Sequence, residues 1–261
     1  MLGVSFCLVA LARFGGRPEL LEAWTRENGP VETGSAAVLI LIAGYGLIRG
    51  LRPELRPLPG RAGAAAPLAL AAAALLAALE EVSWGQHLLG FESPPFFQTH
   101  NRQGETNLHN LAPAELFGLA TNVAVYALFV FGPILLRLAR PAAGTLSTLR
   151  KLAPSVHNIL MFCAAFAFQA YFRLETAADT VAFILALLAT ARLISRETND
   201  DGPHRWPHWA LVAGCGLTFM VSHRVFRYHN LQYEIREFII AYGILFWMAH
   251  WPRRPNAAPE R

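Results

Sequence analysis

The chain has 261 residues, of which 54% are hydrophobic and 15% are charged. Soluble domains average about 25% charged residues, so the composition argues against a soluble enzyme, a disordered segment or a nucleic-acid reader. The formal net charge of +4 comes from short segments between apolar runs, where positive charge sets membrane orientation. We therefore expect an all-α fold, a polytopic transmembrane helical bundle whose partners are membrane lipids, with no nucleic acid.

Seven apolar runs approach the roughly 20 residues that a membrane-spanning helix needs. In chain order they are residues 34–51, 65–89, 114–138, 155–173, 177–195, 208–226 and 234–251. Residues 1–13 form a shorter apolar run, which is either one more span or a cleaved signal peptide. The sequence thus predicts about eight spans in a single transmembrane domain of residues 1–261, with seven spans as the alternative.

Arginine and lysine predict the orientation, because cytoplasmic loops carry an excess of both residues. Segments 49–63 and 137–154 each contain four of them and segment 192–207 contains three, whereas segment 90–113 contains one. We expect the arginine-rich segments and the short tail 252–261 to lie in the cytoplasm, and the protein to reside in a bacterial inner membrane. Segment 90–113 then faces outward.

A short motif occurs twice, about half a chain apart. Residues 100–105 and 229–234 both read HNxQxE, and the arginine distribution places both copies on the outward side. Two related four-helix halves, 1–138 and 155–251, would explain this agreement, since internal repeats are common in membrane proteins. Coincidence between two loops that contain His and Asn is the other explanation.

Ionisable residues near the outward ends of the predicted helices are candidates for function. A charged group at the centre of a bilayer costs about 2.5–3.5 kcal/mol on insertion scales, so such groups are kept for a reason. At 100° per residue, one face of the helix predicted over run 65–89 carries Glu80, Ser83, Trp84 and His87. Similar groups recur at other outward helix ends, and we therefore expect a polar basin that opens outward.

The candidate residues fall into three groups by chemistry. Paired carboxylates suit acid–base catalysis, arginines suit a phosphate or carboxylate headgroup, and histidines with carboxylates suit a divalent transition metal. The candidate catalytic residues are Glu80, Glu81, His109, Glu234 and Glu237. The candidate substrate-binding residues are Arg173, Arg227, Gln86, Asn101, Gln103, Glu105, Asn230 and Gln232. The candidate metal ligands are His87, His109, His223 and His229.

These groups favour a membrane-embedded hydrolase or transferase that acts on a lipid or lipid-linked substrate at the outer leaflet, with metal assistance as one option. A proton-coupled transporter and a non-catalytic subunit of a membrane complex are the alternatives, since intramembrane Glu and His also form proton relays and interhelical contacts. Polar residues become rare toward the cytoplasmic ends of the helices, whereas a carrier needs a route to both sides.

Two segments carry a resemblance. Residues 80–86 read EEVSWGQ, and residues 101–110 read NRQGETNLHN. This combination resembles a group of bacterial multi-pass membrane proteins with an EE-x-SWGQ segment followed by N-x-QGE-x-NLHN, for which no function is established. The resemblance implies a membrane location and a multi-pass architecture, but no reaction. Alkaline ceramidases and related seven-helix metal hydrolases differ from this chain, which lacks their paired C-terminal histidines one turn apart.

Overall fold

The structure is a computed structural model that describes residues 29–58, 60–139, 144–168, 174–197, 206–225 and 231–252. In these ranges the regular elements are helices and no strand occurs, so the all-α prediction is confirmed. The apolar run 1–13 lies outside the described residues. So do four of the candidate site residues, Arg173, Arg227, His229 and Asn230, and the side chains of His223 and Gln232.

The α-helices of the described chain follow one another with short connections. They are α1 (Pro30–Leu51), α2 (Gly60–Glu81), α3 (Gln86–Leu89), α4 (Pro95–His100), α5 (Ala114–Val125), α6 (Gly132–Ala139), α7 (Gly144–Leu152), α8 (Val156–Phe166), α9 (Leu174–Glu197), α10 (Trp206–Val225) and α11 (Leu231–Ala249). A π-helical segment, Tyr126–Phe131, joins α5 to α6. Short 3-10 turns occur at Pro53–Leu55, Ser83–Gly85 and His109–Leu111.

Four helical segments of the described chain are long and apolar enough to cross a bilayer. They are Pro30–Leu51, Gly60–Glu81, Leu116–Ala139 and Ala177–Arg196. Helix α8 is apolar but has only 11 residues, and α11 begins with three charged side chains in its first two turns. The helices are those of a membrane protein, and the count of eight spans stays a prediction.

The chain divides into two compact units. The 32–123 unit comprises Glu32–Val123 and Ile244–Arg261, and the 124–243 unit comprises Met1–Val31 and Ala124–Gly243. The two copies of the HNxQxE motif differ in backbone conformation, because residues 101–106 form an irregular loop whereas residues 231–234 form the first turn of α11. The backbone therefore lends no support to the duplicated halves 1–138 and 155–251, which stay a prediction.

In the 32–123 unit, glycines allow α1 and α2 to pack closely. A Cβ atom at Gly46 would lie 2.7 Å from the carbonyl oxygen of Pro67 and 3.1 Å from Cβ of Ala71. At Gly50 it would lie 2.5 Å from Cγ of Leu68. Small residues let helix backbones approach in this way, and van der Waals packing is a main source of helix association in lipid.

A buried arginine caps the C-terminal end of α11 in the same unit. The guanidinium of Arg49, which is 1% exposed, donates hydrogen bonds to the carbonyl oxygens of Met248 (3.1 Å), Trp251 (3.3 Å) and Pro252 (2.9 Å). It also donates to the hydroxyl of Tyr45 at 3.1 Å. The last carbonyls of a helix have no intrahelical partner, and the helix dipole favours a cation there. Arg49 therefore joins α1 to the C-terminal segment.

Apolar packing around α8 forms the interior of the 124–243 unit. The side chains of α8 from Ile159 to Phe166 are almost all buried. Aromatic rings stack between α8 and the π-helical segment, in the pairs Tyr126–Phe166 and Phe129–Phe162, and between α9 and α10, in the pair Phe183–Phe219. Offset-stacked rings are favourable beyond the area that they bury, so these contacts position the helices of this unit.

Candidate functional site

The helix that carries Glu80 ends earlier than the apolar pattern predicts. Helix α2 stops at Glu81, and the next turn contains three residues with positive φ: Ser83 (45°), Trp84 (56°) and Gly85 (81°). The prediction of one continuous helix over 65–89, with Glu80, Ser83, Trp84 and His87 on one face, is therefore wrong. Left-handed backbone costs a non-glycine residue about 1–2 kcal/mol, so surrounding contacts must hold this turn in place.

Glu80 fastens the loop 101–110 to the end of α2. Its Oε2 accepts hydrogen bonds from the backbone N–H groups of Leu108 (2.6 Å) and His109 (3.0 Å), and it lies 3.3 Å from the ring Nδ1 of His109. Its Oε1 accepts a hydrogen bond from the indole Nε1 of Trp84 at 2.7 Å. The structure thus brings together two predicted catalytic residues, Glu80 and His109. The indole of the left-handed Trp84 bonds the other oxygen of the same carboxylate.

Glu105 forms a second histidine–carboxylate pair a short distance along the same loop. Its Oε1 lies 2.8 Å from Nε2 of His87. Its Oε2 accepts hydrogen bonds from Oγ of Ser83 (2.5 Å) and from Nδ2 of Asn107 (3.2 Å). Ser83 makes this bond from its left-handed conformation, so the break after α2 and the Glu105–His87 pair share one residue. Sequence analysis names His87 and Glu105 for different roles and does not predict their contact.

Buried amides hold the shape of the loop. Nδ2 of Asn101 donates to both the backbone oxygen and Oδ1 of Asn107, at 2.8 Å each. Oδ1 of Asn101 accepts hydrogen bonds from the backbone N–H groups of Gln103 (2.9 Å) and Glu105 (3.3 Å). Local bonds from an Asn side chain to the backbone replace regular secondary structure here. Asn101, predicted to bind substrate, thus forms the loop that presents Glu105.

Gln86 and Gln103, two other predicted substrate-binding residues, take part in the same scaffold. Oε1 of Gln86 accepts hydrogen bonds from Oγ of Ser93 (3.0 Å) and the backbone N–H of Thr106 (2.8 Å). Oε1 of Gln103 accepts a hydrogen bond from Nδ2 of Asn110. Substrate binding by these amides stays a prediction.

Sequence reasoning misses several members of the scaffold, namely Ser93, Arg102, Asn107 and Asn110. The guanidinium of Arg102 donates to Oδ1 of Asn110 at 3.0 Å, and Asn107 and Asn110 are buried. The signal that could have found them is the density of asparagine in residues 101–110, because short amide side chains often bond the backbone of irregular loops.

The histidines are more exposed than the carboxylates that hold them. The side chains of His87 and His109 are 43% and 30% exposed, against 14% for Glu105 and 19% for Glu80. The opposite ring nitrogens, Nδ1 of His87 and Nε2 of His109, make no hydrogen bond to the residues that the structure describes. Each pair therefore presents one ring nitrogen to a ligand, the arrangement expected of an oriented acid or base.

The remaining candidates belong to neither pair or lie outside the described residues. Glu81 is the half-buried last residue of α2. Glu234 and Glu237 are half-buried on the part of α11 that belongs to the 124–243 unit. Catalysis by all three stays a prediction.

A metal site can be assessed only in part. Within the described ranges, no group of three or more His, Cys, Asp or Glu residues is placed to hold a metal ion. Two of the four candidate ligands, His223 and His229, have side chains outside the description. A divalent transition metal therefore stays a prediction.

Comparison with protein-family models, with curated proteins and with solved structures gave no match.

Proposed function

We propose that the chain is a membrane-embedded hydrolase or transferase whose acid–base groups are the pairs Glu80–His109 and Glu105–His87. The observation that carries the proposal is the orientation of each histidine. One ring nitrogen faces a carboxylate that other hydrogen bonds already hold, and the opposite nitrogen has no described partner. A base held by a third group in this way is the common feature of catalytic histidines on unrelated folds.

The two pairs suit opposite ends of one reaction. Contact with Glu80 favours a proton on Nδ1 of His109, which leaves the lone pair of Nε2 to accept a proton from water or from an acceptor hydroxyl. That oxygen then attacks a carbonyl of the substrate. In its doubly protonated form His87, whose Nε2–H faces Glu105, can donate the proton of Nδ1 to the leaving oxygen or nitrogen. His109 accepts one proton and His87 donates one, so His109 gains a positive charge and His87 loses one.

The location of the pairs supports a lipid or lipid-linked substrate. Glu80 lies in the last turn of α2, a helix that is apolar and long enough to cross the membrane, and His87 follows six residues after its end. In the predicted orientation this end faces outward, so a substrate in the outer leaflet of a bacterial inner membrane would meet them. Esters and amides of lipids are the substrates whose cleavage needs both a base and an acid.

The test is turnover of a fluorogenic diacyl phospholipid in mixed micelles by the purified protein. Substituting His109→Ala or His87→Ala should lower the rate by about 10²–10⁴-fold, the contribution typical of a positioned acid or base. His100→Ala is the matched control, because this exposed histidine of the same region bonds the oxygen of Phe96 and stacks on its ring, outside both pairs. Equal rates for His109→Ala and His100→Ala would refute the proposal.

A non-catalytic subunit is the second candidate, and one observation favours it. The carboxylate of Glu80 already accepts hydrogen bonds from three N–H groups, which fits a residue whose role is to fasten a loop. A wild-type protein that turns over neither ester nor amide lipids would favour this candidate. Detectable turnover that depends on His109 would exclude it.

A further inference from the structure

The segment that follows α2 exposes several large apolar side chains. The apolar rim consists of Leu88, Leu89, Phe91 and Phe96, which are 88%, 74%, 39% and 56% exposed. From residue 82 to residue 100 the chain contains a single Asp, Glu, Lys or Arg, which is Glu92. Large exposed apolar side chains at one place mark an interaction surface rather than ordinary protein surface.

The exposure of the apolar rim is a consequence of how its backbone is held. Gln86 bonds Ser93 across the segment, and Nε2 of Gln98 donates to the carbonyl oxygen of Ser93 at 2.6 Å. Gly90 ends α3 in a left-handed conformation with φ of 69°, and Pro94 and Pro95 begin α4. Because these contacts fix both short helices, the four side chains cannot fold back onto one another.

The position of the apolar rim identifies a lipid surface as its partner. The rim begins seven residues after Glu81, the last residue of the spanning helix α2, and α2 itself exposes Leu75 and Leu76. Helices α3 and α4 have four and six residues, far fewer than the roughly 20 needed to cross a bilayer. Trp84, whose ring is partly exposed, is a residue type that concentrates at the headgroup level.

We propose that the apolar rim inserts into the headgroup–acyl boundary of the leaflet in which α2 ends, as a rigid interfacial anchor. Apolar side chains on short surface helices bind membranes in this way. Each histidine of the two pairs is next in sequence to an exposed leucine, His87 to Leu88 and His109 to Leu108. The anchor therefore sets the pairs at the lipid–water boundary, and it does so whether or not they are catalytic.

The test places a fluorescent NBD label on the rim in phosphatidylcholine vesicles. Leu88→Cys and Phe96→Cys are labelled singly in a Cys7→Ser background, since Cys163 and Cys215 are buried. Glu54→Cys, an exposed site on the turn between α1 and α2, is the matched control. We expect lipids that carry a quencher near the headgroup to quench both rim labels at least about twofold more than the control. Lipids that carry the quencher at the chain end should quench the rim labels less.

Two results would overturn the inference. Quenching of the rim labels no stronger than that of the Glu54→Cys label would show that the rim lies in water. Protection from aqueous iodide without quenching by either lipid would show that protein covers the rim. Leu88 is exposed, and Phe96→Cys removes only the surface ring contacts with Phe97 and His100. Leu89→Cys provides a third position should one labelled protein fail to fold.

Discussion

Glu80 contacts His109 twice, through the backbone and through the ring. Its Oε2 accepts the backbone N–H of His109 at 3.0 Å and lies 3.3 Å from Nδ1 of the imidazole. One carboxylate at the end of a spanning helix thus fixes both the position and the ring orientation of a residue 29 positions later in the chain. The stability of the loop and the orientation of the proposed base consequently depend on the same side chain.

Substitution of Glu80→Gln should destabilise the protein. The amide keeps the shape of the side chain but replaces one acceptor oxygen by a donor, which then faces N–H groups of Trp84 or of the loop. Hydrogen bonds to charged groups contribute about 1.5–3 kcal/mol each, and we expect a loss of that order. The measurement is the unfolding temperature in mild detergent. Glu92→Gln, an exposed carboxylate in the same region, should leave it unchanged.

Gly85→Ala should lower the free energy of unfolding because of the backbone conformation alone. Gly85 has a φ of 81°, yet a Cβ atom there would meet only Leu89 at an ordinary 3.6 Å. We expect a loss of about 1–2 kcal/mol, the usual cost of a left-handed L-residue. The control is Gly118→Ala within α5, where a Cβ atom would meet nothing within 4 Å and alanine favours the helix. Equal unfolding temperatures for the two variants would contradict the left-handed turn.

The helices could be predicted from the sequence, but the end of α2 could not. Long apolar runs identify a spanning helix whatever its neighbours, and runs 34–51 and 177–195 lie within α1 and α9. Beyond Glu81 the residues Trp84, Leu88 and Leu89 keep the sequence apolar, so the pattern continues where the helix stops. The break arises from contacts with a distant loop, which periodicity does not reveal.

The residues of the candidate site were easier to predict than the contacts between them. Glu80 and His109 stand out because ionisable residues are rare in apolar sequence. His87 and Glu105 are 18 residues apart, and the turn before His87 has positive φ at Ser83 and Trp84. Serine and tryptophan are not residue types that predict positive φ. Asn101 and Gln103, two amides of the loop, are predicted as substrate ligands for a related reason, since an exposed and a buried amide look alike in a sequence.

Gly46→Ala should disrupt the packing of α1 against α2. The added methyl group would lie 2.7 Å from a backbone oxygen of Pro67, so the helices must separate. Overpacking of this kind costs about 1–3 kcal/mol. Gly44→Ala is the matched control two residues away, because its methyl group would meet nothing within 4 Å. The unfolding temperatures should fall for Gly46→Ala only, and a fall of the same size for both would argue against this contact.

Arg49→Ala should be among the most destabilising substitutions in the 32–123 unit. It would leave the carbonyl oxygen of the buried Met248 without its donor, and an unsatisfied buried acceptor costs about 1–3 kcal/mol. Arg52→Ala, an exposed arginine three residues later, should cost less than about 0.5 kcal/mol. Limited proteolysis of the C-terminal segment provides a second measurement. Cleavage that is equally slow in both variants would contradict the proposed link to α1.

Hydrogen exchange of the backbone amides of Leu108 and His109 tests the central claim most directly, namely that Glu80 holds the loop 101–110 against the end of α2. Both amides donate to Oε2 of Glu80, so both should be protected in the wild-type protein. Loss of a charge-assisted hydrogen bond in Glu80→Gln should speed their exchange by about tenfold or more, with Glu92→Gln as the unchanged control. Exchange of these two amides at the unprotected rate in the wild-type protein would contradict the account.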